Sequence, residues 1–156
     1  MWPSIAPALI IVLVLRTFPI RVAGPQAGPL KDEITWEILQ QESGYPHPIQ
    51  EMTTVSKKVR RIGRFDWDLA QKAVQSNRPT KIAITGLDYL NCKDRNVEDY
   101  EELTGTSRDF LRKLQGDLNV PAWAWGTSPA LTVKTNPFRL ATECSTYASL
   151  GPLSAS

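Results

Sequence analysis

Nine consecutive residues, Thr53-Thr54-Val55-Ser56-Lys57-Lys58-Val59-Arg60-Arg61, set three hydroxyls beside four cations. That mixture suits a grip on a carboxylate or phosphate. The cations supply charge, arginine adds a two-pronged fork, and the hydroxyls donate at adaptable angles. A charge run of this kind more often serves as a solvated basic edge, and composition alone favours that reading. A second group is Thr85-Gly86-Leu87-Asp88, directly after a short apolar run. An aspartate held at a strand end can accept two parallel hydrogen bonds from an edge such as guanine N1–H and its exocyclic amine, although Asp after Gly is also a common turn. The third is Gly126-Thr127-Ser128-Pro129, small residues whose backbone amides allow close approach of a base or phosphate.

Other chemistries lack their parts. His47 is the single histidine and lies between two prolines, a loop spacer rather than a base. No Walker-type phosphate loop, no paired catalytic carboxylates and no Ser-His-Asp set can be assembled, so no catalytic residue and no metal ligand is assigned. Cys92 and Cys144 show neither metal-ligand spacing nor a disulfide framework, which suits a reduced, cytoplasmic setting.

The elements that would position these groups read as α/β. Ile10 to Leu15 predicts a strand, and Ala8 to Leu15 is too short to span a bilayer and has no preceding cation, so a buried strand is favoured over an export signal. Prolines and glycines mark 16–30 as a long ordered loop. Glu33 to Gln41 predicts a short helix, broken by Gly44-Tyr45-Pro46-His47-Pro48. Asp66 is a candidate N-cap for a helix over 67–76, and Ser107 for a second helix carrying Phe110, Leu111, Leu114 and Leu118. Lys81 to Thr85 and Val120 to Trp125 complete a strand–helix rhythm, in which ligands collect where loops leave the carboxyl ends of strands. Three loops qualify: 16–30, 86–91 and 126–130. Composition fades into Ser, Thr, Ala and Pro over 131–156, read as a disordered tail. With 156 residues, 42% hydrophobic, 22% charged and a net charge of +2, the chain fits one soluble domain or a piece of a larger one. A nucleic-acid partner is not implied by so small a charge, even though five cations crowd into Lys57 to Arg64.

The order of the motifs is more specific than any one of them. R-T-F-P-I-R-V, then G-P-L, then T-V-S-K-K-V-R-R-I-G-R-F-D, T-G-L-D and V-P-A-W-A-W-G-T-S-P together resemble the adenylosuccinate synthetases over roughly Leu9 to Ala130. The resemblance implies a fragment of that fold, mainly parallel sheet with flanking helices, corresponding to the C-terminal part. The compact link from Asp88 to Val120 is similar to the short archaeal and phage members. Phage relatives act on dGMP and make 2-aminoadenylosuccinate. Lys57-Lys58 where many members show Gly-Arg, and Gly86 where most show Lys, point to that branch.

Members of the family use GTP and magnesium to join L-aspartate to IMP: the purine 6-oxygen is phosphorylated, then displaced by the aspartate amine. By resemblance, Thr54, Val55, Ser56, Lys57, Lys58, Val59 and Arg60 form the aspartate-gripping loop, with Lys58 toward aspartate and ribose and Arg60 toward GTP and aspartate. Val22 meets the purine nucleotide through its backbone. Gly86, Leu87 and Asp88 read the guanine edge, and Gly126, Thr127 and Ser128 close over the same base. The family's G-D-E-G-K-G-K phosphate loop, with its catalytic aspartate and the magnesium ligands, and a later histidine have no counterpart in these residues. The chain is therefore expected to be inactive alone. Partners implied are GTP or ATP, IMP or dGMP, and aspartate; full-length members are expected as homodimers. The alternative from the residues themselves is a non-catalytic anion- or nucleic-acid-binding module built on the Lys57–Arg64 patch.

Overall fold

A computed structural model describes residues 9–127 and the two strand residues at 134–135. Val12–Arg16 (β1), Lys81–Thr85 (β5) and Ala122–Gly126 (β6) lie side by side and parallel. The register runs from Val12 opposite Lys81 to Arg16 opposite Thr85, so the carboxyl ends of β1 and β5 are level. Lys134–Thr135 (β7) adds antiparallel to β6, giving the order β1-β5-β6-β7. The expected frayed stretch over 131–156 lies outside the described residues, apart from those two.

Period-two alternation explains which face is buried. Leu13 and Leu15 on β1, with Ile82 and Ile84 on β5, point toward helices Trp67–Asn77 (α2) and Gly105–Leu118 (α3). Leu111, Leu114 and Leu118 meet them from α3, and Ile82, Ile84 and Leu114 are 0% exposed. Each such fully buried side chain is worth about 1.5–3 kcal/mol against exposure. The other face of β1 is different from expectation. The strand exists, but among the described residues it is the edge of the sheet rather than buried, and Val14 is 65% exposed.

A smaller antiparallel sheet sits beside the first. Ile20–Arg21 (β2) and Glu33–Ile34 (β3) flank Arg61–Gly63 (β4) in the order β2-β4-β3. Ile62 from β4 packs with Phe18 and with Trp36 and Leu39 of helix Trp36–Ser43 (α1). This sheet interrupts the loop expected over 16–30 and shifts the first helix C-terminally. Thr35 caps α1, its hydroxyl oxygen accepting from Ile38 N at 3.3 Å.

Asp66 caps α2 as expected, with Oδ1 accepting from Leu69 N at 3.0 Å. Ser107 does not cap α3. The helix begins two residues earlier, and the buried carboxylate of Asp94 takes the Thr104 amide and hydroxyl, both at 2.7 Å, together with the Ser107 hydroxyl. A remote acidic side chain there does the work that sequence reading assigns to a local one, and the negative charge sits well at a helix N-terminus.

Candidate functional site

Arg16, Thr85 and Gly126 end their strands at one level. Thr17 N donates to Thr85 O, and Gly86 N donates to Gly126 O, each at 3.0 Å. Gly86 then turns the chain with φ +80°, where an added Cβ would stand 3.0 Å from Thr17 Oγ1. That turn leads into a short 3-10 segment at 87–89, which places Asp88 at the floor of a cleft of about 640 Å³. The opposite wall is the segment from Tyr45 through Met52, together with Arg60 and Arg95. This is the location expected of a ligand site in a parallel sheet.

Two polar groups organise the cleft. Asp88 is 2% exposed, and its Oδ2 accepts from the Tyr45 hydroxyl at 2.6 Å. Burial pushes the Asp88 carboxyl above the usual carboxylate range, against the opposing effect of the Tyr45 hydrogen bond. Burial also drives the Tyr45 phenol well above its ordinary value, reinforced by that bond and by the charge of Asp88. Nearby, Glu51 Oε1 takes the Arg16 guanidinium and the Tyr89 hydroxyl, the latter at 2.8 Å. Arg16 also lies over the Tyr89 ring, 5.5 Å from its centroid. Burial raises the Tyr89 phenol, and the Glu51 charge adds to the shift.

Arg60 is positioned through its backbone. Its amide donates to Glu51 O at 2.8 Å, and its carbonyl accepts from Trp36 Nε1 at 2.7 Å. Neither the Arg60 nor the Arg95 guanidinium forms a salt bridge among the described residues. The cleft thus presents the Arg60 and Arg95 cations beside a buried carboxyl group, whose ionised form the Arg95 charge favours, a setting for an anionic ligand that also carries hydrogen-bond donors.

The structure brings Arg60, Gly86 and Asp88 to this cleft and sets Gly126 against Gly86. Leu87 is 0% exposed and belongs to the core. Thr127 is buried, and its hydroxyl donates to Val97 O at 3.3 Å. Ser128 lies outside the described residues. Thr54, Val55, Ser56, Lys57, Lys58 and Val59 form the exposed tip of a hairpin closed by the bridge between Met52 and Val59, and Val55 is 94% exposed. The Lys58 amide donates to Thr53 Oγ1 at 3.0 Å, and Lys57 takes φ +52°, the left-handed region that favours glycine. Val22 follows β2, half exposed, and does not line the cleft. His47 is exposed.

Arg16, Tyr45, Glu51, Tyr89 and Arg95 line the cleft without having been singled out by sequence. Only Arg16 carried a signal, as the last residue of a parallel strand. The basic run is less free than it reads: Arg61 is held by Glu33 at 2.8 and 2.5 Å, and Arg64 by Glu42 at 2.9 and 2.5 Å. Among the described residues no group of three or more His, Cys, Asp or Glu side chains gathers to hold a metal ion. The magnesium implied by the resemblance would thus find no all-protein cage among the described residues. No helix among them is long and apolar enough to cross a membrane.

No protein-family model matches the chain. Curated relatives do. The chain is 34% identical over 121 residues to the adenylosuccinate synthetase of Methanocaldococcus jannaschii, covering 78% of this chain and 33% of that protein. It is 33% identical over 121 residues to the adenylosuccinate synthetase of Archaeoglobus fulgidus, with 78% and 34% covered. Among solved structures it resembles the succinoaminodeoxyadenylate synthetase of cyanophage S-2L, a complex with dGMP and with dATP as energy donor. The TM-score is 0.56 with 28% identity, over 85% of this chain and 35% of that one. The fold also matches the fully ligated Plasmodium falciparum adenylosuccinate synthetase, with a TM-score of 0.65 at 16% identity, over 82% and 40%. The chain spans about a third of the length of the curated relatives it matches. In sequence and in fold alike, the chain is similar to a C-terminal part of the adenylosuccinate synthetases.

Proposed function

We propose that this chain supplies the nucleotide- and aspartate-holding loops of a purine-nucleotide synthetase, and that the cleft at the ends of β1, β5 and β6 receives a purine nucleotide. The reaction served is the joining of L-aspartate to IMP at the expense of GTP, giving adenylosuccinate. A dGMP substrate and an adenine donor fit the phage-like variant. The observation that carries this reading is the meeting of Asp88, Gly86 and Arg60 in one cleft, in a chain 34% identical to a curated synthetase.

Each residue then has a physical task. Asp88 accepts hydrogen bonds from the base edge, and Gly86 leaves the space above it clear. Arg60, fixed by Glu51 and Trp36, offers its guanidinium to an anionic group of the nucleotide or to aspartate. The exposed hairpin tip from Thr54 to Lys58 closes over aspartate from outside the cleft. These tasks are binding and orientation. The base that takes the purine N1 proton and the phosphate cradle are not among these residues, so these residues alone should make no product.

The reading is tested by titrating GTP, IMP and aspartate into the chain and into Arg60→Ala. Loss of about 1.5–3 kcal/mol of nucleotide or aspartate binding is expected, the range for hydrogen bonds to charged groups. Equal affinities for both proteins would remove Arg60 from the site. The nucleic-acid reading is weakened because Glu33 and Glu42 neutralise two cations of the patch. It would return if duplex DNA bound tightly with a steep salt dependence while nucleotides did not bind.

A further inference from the structure

Tyr45 stands beside the proposed base reader, and its hydroxyl changes what that reader can recognise; the inference rests on the nucleotide reading above. An ionised carboxylate offers acceptors only. Asp88 by itself would therefore suit guanine, whose N1–H and 2-amino group are both donors. Adenine would place its unprotonated N1 against a lone pair, leaving polar groups unpaired.

The structure adds a donor. The Tyr45 hydroxyl lies 2.6 Å from Asp88 Oδ2 and lines the same cleft. A phenol has one hydrogen, which rotates about the C–O bond, and its oxygen also accepts. With the hydrogen turned to Asp88, the couple shows two acceptors, Tyr45 Oη and Asp88 Oδ1, and matches guanine. When Asp88, whose carboxyl burial raises, takes up a proton on Oδ2 and donates it back to Tyr45 Oη across the same 2.6 Å, the Tyr45 hydrogen is released into the cleft, and the couple shows a donor beside the Asp88 Oδ1 acceptor and matches adenine N1 and its 6-amino group. Either arrangement pairs both polar positions of the base. The Tyr45 ring itself is held edge-on to Tyr89, with centroids 6.4 Å apart, and Tyr89 is held edge-on to Trp36 at 6.2 Å. The ring stays while the hydrogen turns, and burial keeps the phenol protonated.

We propose that Tyr45 is a base-specificity residue: with Asp88 it forms a reversible donor–acceptor couple that admits adenine as well as guanine nucleotides to this cleft. The test is calorimetric titration of GTP and of ATP into the full chain, into Tyr45→Phe and into Asp88→Asn, with circular dichroism confirming that each is folded. Wild type should bind both nucleotides within about fivefold of each other, the scale of balanced hydrogen bonding. Tyr45→Phe should hold GTP within about threefold, because Asp88 Oδ2, freed of the phenol, accepts the guanine donor that Tyr45 Oη had taken, and should weaken ATP by about tenfold or more, one lost hydrogen bond against an acceptor left unpaired. Asp88→Asn, whose amide adds a donor, should turn the preference toward ATP. A Tyr45→Phe protein that loses both nucleotides equally, or neither, overturns the inference and leaves the nucleotide reading intact. So does a wild-type protein that excludes ATP. Binding of neither nucleotide to wild type defeats both readings.

Discussion

The Tyr89 hydroxyl donates to Glu51 Oε1 at 2.8 Å, and so ties the arm that leads into the hairpin to the turn that follows β5. Arg16 shares the same carboxylate oxygen from the end of β1. Three separate segments therefore meet on Glu51. Tyr89→Phe should cost about 0.5–1.5 kcal/mol of stability, the usual net value of one such bond. Urea unfolding measures it. An unchanged midpoint would mean that the arm is held without this bond.

Gly86→Lys introduces the residue that the resemblance leads one to expect here but places a side chain at φ +80°, with Cβ 3.0 Å from Thr17 Oγ1. The left-handed conformation costs a non-glycine residue roughly 1–2 kcal/mol, before any crowding of Thr17. A loss of that size is expected in urea unfolding. A variant as stable as wild type would show that the turn relaxes freely.

Burial raises the Asp88 carboxyl above its ordinary value, so the folded state binds that proton more tightly than the unfolded state does. The resulting contribution to stability is complete below the unfolded value and is lost as pH rises through the raised one. Asp88→Asn has no such titration. The stability of wild type relative to Asp88→Asn should therefore fall as pH rises upward from about 4. Parallel unfolding curves across pH measure the difference, in which Glu33, Glu42 and Asp68, all lowered by their cationic partners, cancel. A flat difference would contradict the burial argument.

Much of this was legible in the amino-acid sequence, and the rest was hidden for physical reasons. Lys81 to Thr85 alternates cleanly, and Asp66 stands just before an amphipathic run, so β5 and the start of α2 read correctly. The small sheet was missed because strands of two and three residues contain no period to detect. Asp94 replaces Ser107 as the partner of the α3 N-terminus across a separation that no capping rule spans. Tyr45 was read only as part of a helix-breaking GYPHP stretch, because its partner Asp88 is 43 residues away. Ile10 to Leu15 reads as a strand and β1 is found at Val12–Arg16, but nothing in the apolar composition tells an edge from a centre.

That edge carries its own expectation. Val14 is 65% exposed on a strand paired, among the described residues, on one side only. Exposed apolar edges template pairing with other chains, and a lysine on the edge discourages it. Val14→Lys should reduce self-association seen by light scattering while changing stability by less than about 0.5 kcal/mol, as for surface substitutions. Unaltered scattering would show that β1 is not the sticky element.

The place of the nucleotide is the central claim, and amide shift mapping addresses it most directly. Adding GTP to the isotope-labelled chain should move the amide signals of Gly86, Asp88 and Gly126 together with that of Arg60, saturating at one common affinity. Shifts confined to Lys57 through Arg64, or no shifts at all, would contradict the account.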